Sequence, residues 1–275
     1  MKKSLIIGAS ALSLLLVSPF TSAHRVWIKP STTVVSGENE WITFDAAIAN
    51  GIFAPDHFAM PLERLNAFSP DGKNIEPKNP HKLHYRSVFD LELTQEGTYK
   101  VASSSRSISA RWEDEKGERH FWPGRGEVAS PAEFEAAVPK DAKNLEVVDS
   151  ARRVEVYVTS GAPSDTVLKP TNKGLELVAT THPNDLYVNE TVEFRFIMDG
   201  ESAAATQVTV VKEGEKYRDT ADPIEVKADA QGYVTLQFPE PGMYWLEAEY
   251  GDNKAKAPAQ TRRGTYVVVL EVLPM

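Results

Sequence analysis

The run VEFRFIM, Val192 to Met198, sets Val192, Phe194 and Phe196 against Glu193 and Arg195. That alternation is the period of a strand with one buried face. Similar runs rich in Val, Ile, Phe, Tyr and Thr, broken by Gly, Pro, Asn and Asp, fill the chain, and helical periodicity is nearly absent. The fold class is therefore all-β. In the second half the pattern predicts strands at Leu175–Thr181, Thr191–Met198, Gln207–Lys212, Ile224–Lys227, Tyr233–Phe238, Met243–Tyr250 and Thr265–Leu273. One short helix is predicted at Pro131–Val138, with Ser130 as N-cap and Pro131 at the first helical position.

The first half follows a related plan. GENEWITFDAAIANG resembles VNETVEFRFIMDG, and LTQEGTYKVASSS resembles PEPGMYWLEAEYG. Phe44 and Tyr99 are 55 residues apart, Phe194 and Tyr244 are 50 apart, so order and spacing agree as well. This weak internal repeat predicts two tandem β-sandwich domains of immunoglobulin or transthyretin type. The polar segment SGAPSDTVLKPTNKG, residues 160–174, carries Pro163, Pro170 and Gly174 and reads as the boundary, with a linker near Lys169–Lys173. The expected divisions are 24–168, with loop insertions, and 169–275. RWEDEKGERHFWPGRG is expected to be a hairpin with its tip at Glu115–Gly117 and with Trp112, Phe121 and Trp122 on its arms.

Met1, Lys2 and Lys3 precede an apolar run from Leu5 to Val17, then Pro19 and the small residues Ser22 and Ala23. This is the pattern of a secretory signal peptide, residues 1–23, cleaved after Ala23 to leave His24 as the mature N-terminus. Nothing later in the chain is long and apolar enough for a transmembrane helix. There is no cysteine, which excludes disulfides, thiolate ligands and an acyl anchor on an N-terminal Cys. The periplasm of a Gram-negative bacterium is the expected compartment. The formal charge is −9, and loss of Lys2 and Lys3 makes it −11, so nucleic acid is an unsuitable partner and cations are favoured.

A histidine at a mature N-terminus presents an α-amine and a ring Nδ1 that can close a chelate on one metal ion. The amine, with a pKa of about 8, deprotonates far more readily than a lysine. One further imidazole completes three nitrogens in a T, a donor set for Cu rather than Mg or Ca. The best partner is His57 in FAPDHFAMPLERL, with Asp56 able to orient the ring and Met60 able to offer a thioether. His57 capping a turn, with Met60 packed beneath it, is the plain alternative. His182, held extended by Pro183, suits a turn near the domain junction and could complete a site. His81 and His84, three apart, would face opposite ways on a strand, and His120 is expected on the surface. His-Glu-x-x-His, Gly-x-Ser-x-Gly and phosphate-cradling glycine loops are all absent.

The segments AHRVWIKP, GLELVATTHPNDLYVNETVEFRFIMDG, GYVTLQFPEPGMYWLEAEY and RRGTYVVVLEVLP resemble the DUF4198 family, whose members are related to the NikM-like periplasmic component of nickel and cobalt uptake. The resemblance implies association with metal import, an inner-membrane metal transporter as partner, and a mature chain starting with His, here His24. The expected function is a non-catalytic, periplasmic metal-binding protein for Cu, Ni or Co, with His24, His57 and His182 as candidate ligands. Two alternatives stand beside it. One is a copper redox enzyme of the histidine-brace type; the other is a metal-free carbohydrate-binding or adhesion module stacking sugars on Trp112 and Trp122.

Overall fold

A computed structural model describes residues 24–275 except Glu38, Arg125, Gly126, Val128 and Ser130. The signal peptide read at 1–23 and the N-cap read at Ser130 lie outside the described residues. The described chain is nearly all β and forms three sheets. A 10-stranded sheet runs in the order Ile224–Lys227, Gln207–Lys212, Gly242–Asp252, Thr261–Val272, Lys143–Ser160, Gly97–Glu113, Leu65–Phe68 and Asn74–Ile75, with Val34–Val35 and Arg119–Trp122 paired at its side. A 5-stranded sheet is built on Arg25–Pro30, Glu40–Ala49, Ser87–Leu93 and Lys78–Lys82. A 4-stranded sheet is built on Leu175–Ala179, Val192–Met198 and Tyr233–Leu236.

The large sheet lies between the other two, as the parity of its side chains establishes. Val154, Val156, Met243, Trp245, Val267 and Val269 join one core, which also holds Trp27, Phe44 and Phe89 of the 5-stranded sheet. Their sequence neighbours Tyr157, Tyr244, Leu246, Tyr266, Val268 and Leu270 join the second core, with Phe194, Phe196 and Met198 of the 4-stranded sheet. Strands buried on both faces lose alternation and become continuous apolar runs, which is why TYVVVLEV reads as it does. Two immunoglobulin-like sandwiches thus share their middle sheet. The Lys169–Lys173 segment separates the strands of the two outer sheets, while the middle sheet draws strands from both sides of it. The link is a parallel ladder in which Lys143–Ser160 pairs with Thr261–Val272 from Val148↔Thr261 to Val156↔Val269.

The repeated plan has a structural counterpart. Phe44 and Phe194 each lie on an interior strand of an outer sheet, and Tyr99 and Tyr244 each enter the middle sheet. Tyr99 donates its hydroxyl to the Gln95 carbonyl at 3.0 Å, and Tyr244 to the Glu240 carbonyl at 2.8 Å, the same four-residue reach back. Two residues before each tyrosine sits a glycine of positive φ, Gly97 at 125° and Gly242 at 135°. These are tyrosine corners, which pin the strand to the turn that precedes it.

The seven strands expected in the second half are present, with ends shifted by a few residues at most. The short helix is also found, as a 3-10 turn at Pro131–Glu133 followed by Phe134–Ala137. The charged hairpin forms between Gly97–Glu113 and Arg119–Trp122, its turn closed by the Gly117 amide on the Asp114 carbonyl.

One half-buried acid has a measurable consequence. Burial pushes the Glu247 carboxyl up to about 7, helped by Glu249 and opposed by Arg152 and Arg25. An acid whose folded pKa exceeds its unfolded value binds more protons folded than unfolded, so stability falls as pH rises between the two values. That window runs from 4.5 to about 7. Glu247→Gln is expected to raise unfolding free energy by about 2–3 kcal/mol near pH 8 and to leave it unchanged near pH 4, read by urea unfolding.

Candidate metal centre

Arg25 opens the first strand of the 5-stranded sheet and pairs with Ala49, the last residue of the neighbouring strand. The chain then leaves the sheet as a loop and returns at Phe58–Ala59, which pairs back onto Ala47 and Ile48. His24 and His57 therefore meet where the loop returns. Their rings stack with centroids 4.0 Å apart and planes inclined by 8°. Phe58, itself exposed, packs against the His57 ring at 4.0 Å.

Several contacts hold the loop in this position. Asp56 accepts the Asn50 amide at 2.9 Å and the Asn50 side chain at 3.2 Å, closing the loop at its base. The Asn50 amide holds the Asp56 carboxyl below its ordinary pKa, and the nearby His57 adds to this. Phe53 meets Trp27 edge-on at 5.8 Å, and the Lys29 ammonium lies 5.0 Å from the Phe53 ring centre. Glu215, from the far half of the chain, bonds one Arg25 guanidinium nitrogen through both oxygens at 2.6 Å and accepts the Ile52 amide at 3.0 Å. Burial works to raise the Glu215 carboxyl, but the Ile52 amide and Arg25 outweigh it and keep the group below its ordinary value. One carboxylate thus ties the residue after His24 to the loop that carries His57.

The other candidates lie elsewhere. Met60 is buried in the first core and gives its carbonyl to Ser87, so its thioether is a packing group. His182 takes the Asn184 amide on Nδ1 at 3.1 Å and contacts the Thr98 hydroxyl through Nε2 at 3.0 Å. Nδ1 is the acceptor, so Nε2 carries the proton and donates. Burial lowers the pKa of this ring, consistent with the neutral form. Asn184 also donates to the Thr33 carbonyl, beyond the far end of Arg25–Pro30, and a strand of that length carries the chain about 20 Å from His24. The structure brings His24 and His57 together and places His182 in a separate buried polar network.

His81 lies in the Lys78–Lys82 strand and His84 in the turn beyond it, both exposed. His120 stacks on Trp112 at 5.5 Å and bonds Asp114 at 3.1 Å. With Glu118 these two form a cluster whose ligand atoms fall within 4.8 Å of one another. Asp114 already caps the hairpin turn by accepting the Lys116 and Glu118 amides, which accounts for the cluster without an ion. Trp122 is buried edge-on against Phe134, 5.2 Å between ring centres, so it offers no sugar platform.

Fold and site define an all-β protein of two fused sandwiches with paired imidazoles at one end. The chain belongs to the family described as Domain of unknown function (DUF4198), which matches residues 21–252. No curated protein matches it. Among solved structures it is similar to the D0–D1 domain of intimin, at 13% identity over 88% of this chain and 96% of that one, TM-score 0.21. It is also similar to a DUF4785 family protein from Legionella pneumophila, at 10% identity over 80% and 50% of the two chains, TM-score 0.24. A third is a Salmonella alpha-2-macroglobulin mutant, at 10% identity over 90% and 15%, TM-score 0.23.

Removing the Glu215 carboxylate leaves the Ile52 amide without its acceptor and Arg25 without its partner. Glu215→Ala is expected to destabilise the protein by about 2 kcal/mol and to speed amide exchange across residues 50–58 ahead of the rest of the sheet. Exchange unchanged at those amides would contradict the strap.

Proposed function

We propose that this is a periplasmic transition-metal-binding protein that holds a copper, nickel or cobalt ion at His24 and His57 and supports its uptake or homeostasis. The observation that carries the reading is the contact between the His24 and His57 rings at 4.0 Å. Secretion with cleavage after Ala23 adds the third donor, the His24 α-amine, and the ion is cargo for an inner-membrane metal transporter.

Two imidazoles and an amine form an all-nitrogen set suited to Cu, Ni and Co ions. Stacked rings hold their in-plane lone pairs in two parallel planes, so one ring must turn before both reach the same ion. Among the described residues His57 makes ring contacts with His24 and Phe58 and a charge contact with Asp56, and no hydrogen bond opposes that turn. Asp56, fixed by Asn50, keeps a negative charge beside the incoming cation.

Titration calorimetry with Cu(II), Ni(II) and Co(II) tests the reading on protein that begins at His24. Affinity for at least one ion is expected to fall by about tenfold or more when a single residue precedes His24, and again in His57→Ala. Equal affinity in all three proteins would refute it.

A further inference from the structure

A second site lies on the opposite face of the middle sheet. The loop that leads into Leu175–Ala179 passes over strands Leu65–Phe68, Gly97–Glu113 and Lys143–Ser160 and leaves a cleft of about 370 Å³. Phe68, Lys100, Ser104, Arg106, Arg153 and Lys173 are among its lining residues, and no Asp or Glu is. The charge is conspicuous in a chain whose formal net charge is −9. Gly174 brings the loop this close: its φ is +74° and a Cβ there would lie 2.9 Å from the Ala151 methyl.

The cations of the cleft are not equivalent. Arg106 is answered by Asp149 and Asp199, and Arg153 by Glu155 and Glu176. Lys100 is only 9% exposed, yet among the described residues its ammonium has no carboxylate or hydrogen-bond acceptor and lies 5.5 Å from the Phe68 ring centre. The burial is that of the stem: the ammonium is not among the sealed, unpartnered atoms, so the charge opens into the cleft that Lys100 lines. Arg153 leaves its Nε, sealed from solvent, without an acceptor in the same wall. Ser104, directly across the ladder from Arg153, is exposed and lines the opening, and Lys173 stands exposed at the rim.

We infer that this cleft binds a small organic anion bearing carboxylate or phosphate groups, with the Lys100 ammonium as the principal countercharge and Lys173 and Ser104 at the rim. Its volume is that of a small-ligand pocket. Acids flanking the cleft, Asp149 and Asp199 among them, exclude an extended polyanion such as nucleic acid. The site is independent of the histidine pair, which lies on the other side of the sheet.

The test is calorimetric titration of the intact, EDTA-treated and dialysed protein with citrate and, separately, pyrophosphate. One or both probes is expected to bind saturably at a single site, which also distinguishes carboxylate from phosphate recognition. Lys100→Met, which keeps the stem against Phe68 and removes the charge, is expected to weaken that binding by about tenfold or more, whereas His24→Ala leaves it unaltered. No saturable binding of either probe at millimolar concentration, or wild-type affinity in Lys100→Met, would overturn the inference. If Lys100→Met does not fold, Lys173→Gln and Ser104→Ala decide: weakened binding in either supports the site, and unchanged affinity in both overturns it.

Discussion

The parallel ladder between Lys143–Ser160 and Thr261–Val272 is the constraint on which the rest of the molecule depends. It joins the two halves within one sheet and obliges that sheet to bury both faces, one against each outer sheet. Trp245 shows the consequence at the level of one side chain: it belongs to the C-terminal half, fills the N-terminal core, and donates its indole N–H to the Val26 carbonyl at 2.9 Å. Arg25 packs over the same indole at 5.5 Å and reaches Glu215, in the turn after Gln207–Lys212. The start of the first strand is thus positioned by residues about two hundred places away in sequence.

This arrangement lets a loop carry the proposed ligand His57 without being soft. The Asn50–His57 loop is closed by Asp56, packed through Phe53 and tied down by Glu215, so the His57 ring returns to the end of the strand that follows His24. Loops held on a rigid scaffold are where binding residues concentrate. The basic cleft obeys the same logic on the other face, where the turn at Gly174 covers sheet positions that the 4-stranded layer does not reach. One middle sheet therefore underlies the proposed cation site at the end of one core and the inferred anion site at the edge of the other.

The architecture is legible where local chemistry decides it. Alternation in VEFRFIM, the glycine two residues ahead of Tyr99 and of Tyr244, and the turn chemistry of DEKGER each specify local structure through nearest neighbours. Residue chemistry also raises the pairing of His24 with His57, whose rings the fold places in contact. What local pattern does not encode is partnership across the chain. The sharing of the middle sheet rests on the Val148–Val156 segment finding Thr261–Val269, and an apolar run buried on both faces carries no signal of its partner. Glu215 sits among ordinary charged residues in KEGEKYRD, and only the fold makes it the strap. His182 reads as a turn residue near the domain junction; its hydrogen bonds to Thr98 and Asn184 appear only when three separate segments meet. Lys100, in TYKVASSS, looks like a solvent-facing strand position until Phe68 covers it.

In the proposed metal centre two imidazoles and the terminal amine converge on one ion. Electron paramagnetic resonance of Cu(II), used as a spin probe on protein beginning at His24, tests this most directly through nitrogen hyperfine coupling. Coupling to three nitrogens is expected, reduced to two in His57→Ala and unchanged in His182→Ala. A spectrum identical between the parent protein and His57→Ala would contradict it.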